Sequence, residues 1–228
     1  MVLKKKYPNA ILQGLSVADF STVAADLKAV ELTKGTRLLQ ADHLQRHAYF
    51  PLTSVISFIG DTGDGGNVEV WAVGSEGIAG VSGIMGGTKP FRGVVQVSGT
   101  ALVGKSSVLR KHFQKCTSFH DALLGYVNYL LVQISYLGIC NNSHSIEQRL
   151  GRWLLMMHDR AKSAELRFTQ DAIAGVLGTR RATISVAAAA LQDAGLISYT
   201  PGSILIRSRK ALERASCRCY HMINSGKQ

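Results

Sequence analysis

Long apolar runs are missing from the sequence, since no stretch approaches the roughly 18 consecutive apolar residues of a membrane helix. The start, MVLKKKYPNAILQGLS, carries lysines but too short an apolar run for a secretory signal. Cysteine is scarce, with four residues in 228, which fits reduced thiols better than a disulfide framework. These absences predict a cytoplasmic protein that does not engage a membrane.

Charge is unbalanced toward the positive sign, with a formal net charge of +11. Residues 141–228 hold 13 Lys and Arg against 6 Asp and Glu, a net of +7, and the remainder holds 13 against 9, a net of +4. A positive excess attracts polyanions without sequence preference. The charge alone is equally consistent with solubility. Hydrophobic residues make up 46% of the chain, which is typical of a globular protein with one large or two modest domains.

The spacing of apolar residues in the amino-terminal half changes near residue 31. Residues 9–30 carry apolar side chains at roughly helical spacing and predict a short helix. From about 31 to 104, apolar runs such as SVISFI, VEVWAVG and VVQVSGTALVG alternate with turn clusters, including DTGDGG at 61–66 and GGTKPFRG at 86–93. Many short strands with frequent turns predict an all-β barrel or jelly roll.

Residues 105–140 return to helical spacing and contain an apolar seam. Its members step by 4, 3, 4 and 3 along the chain: Leu123, Val127, Leu130, Ile134 and Leu137. This is the a/d pattern by which two helices pack side by side, so we predict a dimerisation helix, with a buried helix of a single core as the alternative. Leu124, Leu131 and Tyr126 broaden the apolar stripe, so the helix is expected to contact both its own domain and a partner. A further amphipathic helix is predicted over 143–161, capped by Ser143 or Ser145, and NNSHS at 141–145 is the expected hinge.

Residues 169–206 predict two short helices around a glycine turn. Thr169 fits the amino-terminal cap of the first helix, and Gly178 permits the sharp turn that follows. The packing face is expected to comprise Ala172, Ile173, Val176 and Leu177. Thr179 then stands where the second helix needs a cap. Two adjacent helices joined in this way are the core of a helix-turn-helix DNA reader.

The second helix carries the expected base contacts. Its first two turns bring Arg180, Arg181, Thr183 and Ser185 to base edges, and arginine pairs bidentately with guanine. The inward face is predicted as Ile184, Ala188 and Leu191, and Gly195 is expected to end the helix. An alanine-rich core helix without a ligand is the alternative interpretation.

A hairpin follows, with Pro201-Gly202 at its turn. Its polar residues Ser198, Thr200 and Ser203 are expected to meet phosphates. Gln170 is expected to position the duplex, and the paired arginines to specify its sequence.

These residues carry a resemblance to a known family. The segment from Thr169 to Ile206 resembles the winged helix-turn-helix of the Crp/Fnr family of bacterial transcription regulators. Upstream, Tyr49-Phe50-Pro51 with SVIS, and then VEVWAVGSEGIAG, look like the sensor β-roll of that family. The tail ALERASCRCY at 211–220 is similar to one subgroup that ends in Cys-x-Cys-Tyr.

The resemblance implies an α+β protein in three parts: a cyclic-nucleotide-binding-like β-roll (a double-stranded β-helix or jelly roll) over 1–118, a dimerisation helix and hinge over 119–142, and a winged helix-turn-helix over 143–228. It implies a homodimer that binds duplex DNA, regulates transcription, and contacts RNA polymerase if it activates. A signal-binding or cyclic-nucleotide-binding module whose DNA binding is secondary or lost is the alternative function.

The sequence departs from the family at the effector pocket. Members that bind cyclic AMP carry a Gly-Glu-Leu segment, whose glutamate accepts from the ribose, and an Arg-Ser/Thr-Ala segment, whose arginine neutralises the phosphate. Here the corresponding positions read Gly80-Val81-Ser82 and Phe91-Arg92-Gly93. The carboxylate is missing, and the arginine is shifted by one residue, which reverses the face of a strand on which it stands. We therefore expect no cyclic nucleotide binding of the usual kind.

Other cofactors are not expected either. The first cysteine is Cys116, so the amino-terminal cysteine group of the iron–sulfur members is missing. His112 and His120 have no context that indicates haem. His43 and His47 lie four apart but lack a third metal ligand, and Cys217-x-Cys219 has the wrong spacing for a usual zinc pair, so packing thiols are expected.

No enzyme is expected, because no His-x-His cluster or acid–base pair stands out. The recognition helix has Ala182 and Val186 where relatives carry glutamate and, in some members, arginine, so the operator should differ.

Overall fold

A computed structural model describes residues 7–63, 66–88 and 90–225 of the chain. The lysine-bearing start at 1–6, and residues 64, 65 and 89 of the glycine-rich turns, lie outside the described residues. The chain divides into two compact units, one formed by residues 1–60 and 71–130 and the other by residues 61–70 and 131–228. The three-part division at 118 and 142 stays a prediction.

The first unit opens with two capped helices rather than one. Helix α1 (Ala10–Gly14) begins after Asn9, and helix α2 (Val17–Ala25) begins after Ser16, whose hydroxyl accepts from the Asp19 amide at 3.1 Å. The single helix predicted over 9–30 is therefore wrong. A second cap at Ser16 follows extended backbone at Leu15, which ends α1, and residues 28–32 form a strand instead.

Two sheets form a β-roll, which lies in the first unit apart from Asp61 and residues 67–70. Their strands are β1 (Lys28–Leu32), β2 (Arg37–Leu39), β3 (His47–Pro51), β4 (Val55–Asp61), β5 (Asn67–Val73), β6 (Arg92–Val97) and β7 (Gly99–Lys105). The first sheet has the order β1-β7-β3 and the second the order β2-β6-β4-β5. The predicted jelly-roll domain is thereby confirmed. Apolar side chains with no exposed surface, including Phe50, Ile56, Val73 and Val95, fill the space inside the roll.

Three further helices accompany the strands, and the last of them passes from the first unit into the second at residue 131. Helix α3 (Val81–Met85) lies between β5 and β6, helix α4 (Ser106–Lys115) follows β7, and the long helix α5 (Thr117–Ser143) begins two residues later. Tyr126 of α5 packs on the backbone at Gly77, where an added Cβ would stand 2.1 Å from the tyrosine ring. Glycine is required there because any side chain would overlap the ring.

The apolar seam predicted on α5 divides between buried and exposed positions. Leu123 and Leu130 are buried in the chain, Val127 and Leu137 are half-buried, and Ile134 is exposed. A neighbouring line of Leu124, Val127, Leu131 and Ile134, which we call the α5 stripe, faces outward with steps of 3, 4 and 3. The prediction that Leu123 and Leu130 face a partner helix is therefore wrong, because both are buried in the core of the first unit. The residues that follow them, Leu124 and Leu131, face outward instead.

Helix α5 is also the one described helix whose length and composition would let it cross a membrane. Core helices of globular proteins often have the same length and composition. Polar residues interrupt the apolar sequence of α5: Gln133 is buried, and Asn128 and Ser135 are exposed.

The second unit contains the segment with the helix-turn-helix pattern. Its elements are α6 (Ile146–Ala161), β8 (Glu165–Leu166), α7 (Gln170–Leu177), α8 (Arg181–Asp193), β9 (Ile197–Thr200), β10 (Ser203–Ile206), α9 (Arg209–Ala215) and α10 (Cys219–Ser225). Of the two predicted caps, Ser145 is the one used: it forms a capping box with Gln148 at the start of α6. Trp153, Phe168 and Ile184 lie in the core of this unit. Strand β8, which sequence reasoning missed, extends the hairpin to the order β8-β10-β9.

Candidate nucleic-acid interface

The turn between α7 and α8 is built as the sequence predicts. The Thr169 hydroxyl caps α7 by accepting from the Ala172 amide at 3.2 Å, and Gly178 ends it in left-handed conformation with a φ of 59°. The Arg149 guanidinium donates to the Leu177 carbonyl and satisfies one of the last acceptors of α7. The predicted packing face needs one correction: Ala172 is exposed, and Ala174 is buried in its place.

The cap of α8 differs from the prediction. Arg180, not Thr179, occupies the cap position, and its side chain makes no capping hydrogen bond. Thr179 still belongs to the turn that closes α7, because its amide donates to the Ala174 carbonyl at 3.0 Å. The first amides of α8 consequently have no side-chain cap, and an uncapped helix start of this kind favours an anionic partner such as a phosphate.

Helix α8 presents its predicted contact residues outward. Arg180, Arg181 and Ser185 are exposed and Thr183 is half-buried. The opposite face, formed by Ile184, Ala188 and Leu191, is at most 5% exposed. Gly195, with a φ of 70°, ends the helix region in the left-handed turn expected of it. The polar residues of the first two turns therefore share a face that is open to a ligand.

Arg181 has a weak partner in the free chain. Its Nε lies 3.8 Å from Asp171 Oδ2, and both side chains are about 70% exposed. An exposed pair of this kind contributes only about 0–1 kcal/mol, so it is easily exchanged for a base or a phosphate. Asp171 stands at the amino-terminal end of α7, where the helix dipole also favours its charge.

The hairpin forms with the predicted two-residue turn. Ser203 pairs with Thr200 across Pro201 and Gly202, and Gly202 takes a φ of 81°. Thr200 is exposed, Ser198 is half-buried, and half-buried Gln170 lies at the start of α7. The Ser203 hydroxyl donates to Glu165 Oε1 at 3.0 Å. Because it is engaged by a carboxylate on β8, Ser203 is a poorer phosphate donor than the sequence suggests.

The expected effector positions lie in the first unit, around α3 and β6. Gly80 precedes α3 in left-handed conformation, Val81 is half-buried and Ser82 is buried. Phe91 packs edge-on against Trp71, with 5.2 Å between ring centroids. Along β6, Gly93 and Val95 face the core while Arg92, Val94 and Gln96 alternate with them. Arg92 therefore stands on the strand face away from Leu39 and the core.

A second group of side chains, with the chemistry of metal ligands, was not predicted from the sequence to lie together. Cys140 Sγ lies 3.3 Å from Cys217 Sγ, and Cys219 Sγ lies 3.7 Å from His144 Nδ1. The hydrogen bond from the Cys217 thiol lowers the pKa of Cys140 to about 5, and Arg152 and His144 act in the same direction against the effect of burial. The same hydrogen bond raises the pKa of Cys217. A Cys-x₃-His spacing at the end of α5 was the available signal.

The other histidine pair gives no such group. His47 begins β3 and His43 precedes it in a loop, both of them exposed, so they share no helical face. His112 instead lies 2.7 Å from Asp26, and His120 lies 2.9 Å from Asp121.

Comparison with known proteins identifies the segment. Residues 148–215 match the family model of the Crp-like helix-turn-helix domain. Comparison with the curated proteins gives no match.

Solved structures match over most of the chain. FixK2 from Bradyrhizobium japonicum has a TM-score of 0.72 at 16% identity, covering 84% of this chain and 98% of its own. CLP from Xanthomonas campestris, a c-di-GMP responsive global regulator, has a TM-score of 0.69 at 14% identity, covering 85% and 100%. A CRP-family transcriptional regulator from Thermus thermophilus has a TM-score of 0.65 at 15% identity, covering 83% and 96%.

The resemblance drawn from the residues is thus confirmed. The family model establishes a Crp-like helix-turn-helix over 148–215, and the structural matches establish the fold of β-roll, long helix and carboxy-terminal helix-turn-helix.

Proposed function

We propose that this chain is a transcription regulator of the Crp/Fnr type that reads specific duplex DNA sequences as a homodimer, since residues 148–215 match the Crp-like helix-turn-helix domain. The observation that carries the proposal is the amino-terminal face of α8. It exposes Arg180, Arg181 and Ser185 next to amides that no side chain caps. Base-reading donors beside a phosphate-binding helix end are what a recognition helix needs.

The proposed dimer rests on the exposed part of α5. One short recognition helix reads a few base pairs, so a second copy is needed to complete a site. The α5 stripe offers apolar side chains that an identical helix can cover, with Leu131 62% and Leu124 45% exposed. We assign residues 1–118 to a sensor, 119–142 to dimerisation and 143–228 to DNA binding.

The sensor is proposed to respond to something other than cyclic AMP in its usual pose. Gly80, Val81 and Ser82 offer no carboxylate to a ribose, and Arg92 stands on the strand face away from the core. A protein that works on DNA in this way is expected in the cytoplasm, without catalytic activity, and in contact with RNA polymerase if it activates. The alternative, a signal- or cyclic-nucleotide-binding module whose DNA binding is secondary or lost, is disfavoured because α8 exposes Arg180, Arg181 and Ser185.

Selection from a random duplex library tests the function without knowledge of the operator. The purified full chain should enrich an inverted repeat whose half-sites lie about 10 bp apart, centre to centre. Affinity for the enriched duplex should fall steeply with salt, because phosphate contacts release counterions. A library that stays random after repeated rounds, with a folded protein, would contradict DNA reading. Enrichment of a single half-site would contradict only the dimer.

A further inference from the structure

Four soft ligands converge in the second unit at the end of α5. Cys140 lies in the last turn of α5, His144 follows it by four residues, and Cys217 and Cys219 flank the start of α10. Their ligand atoms, three sulfurs and one imidazole nitrogen, all lie within 4.8 Å of one another. The three cysteines are buried and His144 is half-buried. We propose that these residues form a structural zinc site of the Cys₃His type.

The spacing of the ligand atoms fits a single tetrahedral ion. Zinc–sulfur bonds of about 2.3 Å place neighbouring sulfurs roughly 3.8 Å apart, and a sulfur and a nitrogen roughly 3.6 Å apart. The Cys140–Cys217 and Cys219–His144 separations are 3.3 and 3.7 Å. An iron–sulfur cluster would need wider spacing, because the cluster itself lies between its ligands.

Arg152 supplies the charge that such a site needs. Three thiolates and Zn²⁺ leave one negative charge, and the buried guanidinium of Arg152 donates from Nε to Cys140 Sγ at 3.2 Å. Its other hydrogen bond goes to Met156 Sδ, and the described residues give it no carboxylate partner. Arg152 is 3% exposed, so its charge requires a nearby anion, and among the residues that the structure describes only sulfur is in position to provide one.

A disulfide between Cys140 and Cys217 accounts for less of the arrangement. Oxidation would make Cys140 neutral and leave the buried Arg152 charge without an anion. It would also leave Cys219 and His144 facing each other with no role. Zinc uses all four ligands and the arginine, and four protein ligands leave no open position, so the ion ties the carboxy-terminal tail to α5 rather than catalysing a reaction.

Metal analysis of the reduced full chain tests the proposal. Protein purified without chelators should hold about one zinc per chain. Replacement by Co²⁺ should give the intense visible bands of a tetrahedral site, with sulfur-to-cobalt charge transfer scaled to three thiolates. Cys217→Ser and Cys219→Ser should lose stoichiometric zinc. Cys116→Ser, a matched change at a buried thiol of the first unit, should keep it.

The wild-type cobalt spectrum keeps the proposal testable even where a serine variant fails to fold. A folded, reduced wild-type chain that takes up no tetrahedral Co²⁺ would overturn it. So would a Cys140–Cys217 disulfide in protein isolated without oxygen, or equal zinc in Cys116→Ser and Cys217→Ser. Failure of the zinc proposal would leave the DNA-binding proposal standing, because the four proposed ligands share no residue with the α8 face.

Discussion

Arg181 has the surroundings of a side chain held ready for a ligand. It leaves the first turn of α8 with 68% of its side chain exposed and shares only a long contact with Asp171. Arg180 beside it has the same exposed setting but serves as the backbone cap position of the helix. At the residue scale, the two arginines therefore differ in their contacts: Arg181 shares a long contact with Asp171, whereas the Arg180 side chain makes no capping hydrogen bond.

Replacing Arg181 with alanine should weaken binding to the selected duplex by about 1–3 kcal/mol and relax one base position. The loss follows from the two hydrogen bonds that a guanidinium makes to guanine. Fluorescence anisotropy with the selected duplex and with single-base variants measures both effects. Lys111→Ala, which removes one exposed positive charge from α4, is the control and should change affinity little. An equal loss on specific and random duplex would reduce Arg181 to a phosphate contact.

Replacing glycine with alanine should change the stability of the second unit in opposite directions at Gly178 and at Gly175, which lie three residues apart. Gly178→Ala should destabilise the second unit by about 1–2 kcal/mol, because the backbone is left-handed at this position, with a φ of 59°, and an added Cβ would crowd the following carbonyl oxygen. Gly175→Ala, inside α7 with ordinary φ, should be neutral or stabilising by up to about 1 kcal/mol. Chemical denaturation followed by circular dichroism compares the two midpoints. Equal midpoints would show that the turn tolerates a side chain.

At the scale of elements, one face of α5 is buried in the chain and another apolar face is exposed. Leu123 and Leu130 fill the first unit, while the α5 stripe is left outside. Apolar residues occur at 123, 124, 127, 130, 131 and 134, so the sequence contains two overlapping seams of nearly the same period. Spacing alone cannot choose between them. The fold makes the choice, because Leu123 and Leu130 are buried whereas Leu124 and Leu131 are exposed.

Leu131→Gln should weaken the dimer. Burying a leucine side chain contributes roughly 1.5–3 kcal/mol, and a symmetric interface loses two copies, so the dissociation constant should rise at least about tenfold. Sedimentation equilibrium over a concentration series measures this constant. Leu44→Gln is the matched control, because Leu44 is equally exposed, at 62%, but lies outside α5. If only the control dissociates the dimer, the interface lies elsewhere.

Short-range features of the second unit were predictable because their causes are local. The cap at Thr169, the left-handed Gly178 and the Pro201-Gly202 turn each depend on a few adjacent residues. The wrong prediction of Thr179 as a helix cap shows the limit of local reasoning. The Thr179 amide donates to the Ala174 carbonyl in a Schellman-type bond, so the turn that ends α7 includes Thr179 and α8 begins one residue later. Strand β8 has only two residues and forms through its pairing with β10.

The cysteine group could not be predicted in the same way. Cys217-x-Cys219 has an unusual spacing when taken alone, and Cys140 with His144 is only half of a ligand set. The two halves meet because α6 and α9 fold back between them, which is a tertiary event. The buried Arg152 is likewise just one arginine among many until its surroundings are known.

At the scale of the whole molecule, the sensor and the reader are expected to act without the usual nucleotide. Titration calorimetry with cyclic AMP and cyclic GMP should show no saturable heat at micromolar to submillimolar ligand. The reason is that Val81 stands where members that bind cyclic AMP carry the glutamate that accepts from the ribose. DNA affinity should also stay unchanged when either nucleotide is added. Micromolar binding of either nucleotide would contradict the interpretation of Val81 and Arg92.

The contact between Cys140 and Cys217 joins positions 77 residues apart. The whole helix-turn-helix lies between them, so the contact closes a loop around the DNA-reading segment. Closing a long loop is entropically costly before its contacts form, and any link that holds it removes freedom chiefly from the unfolded chain. We therefore expect the tail to dock late in folding, after the local turns of α7 and α8. Once closed, the loop should make the reader unfold as one piece rather than fray from its end.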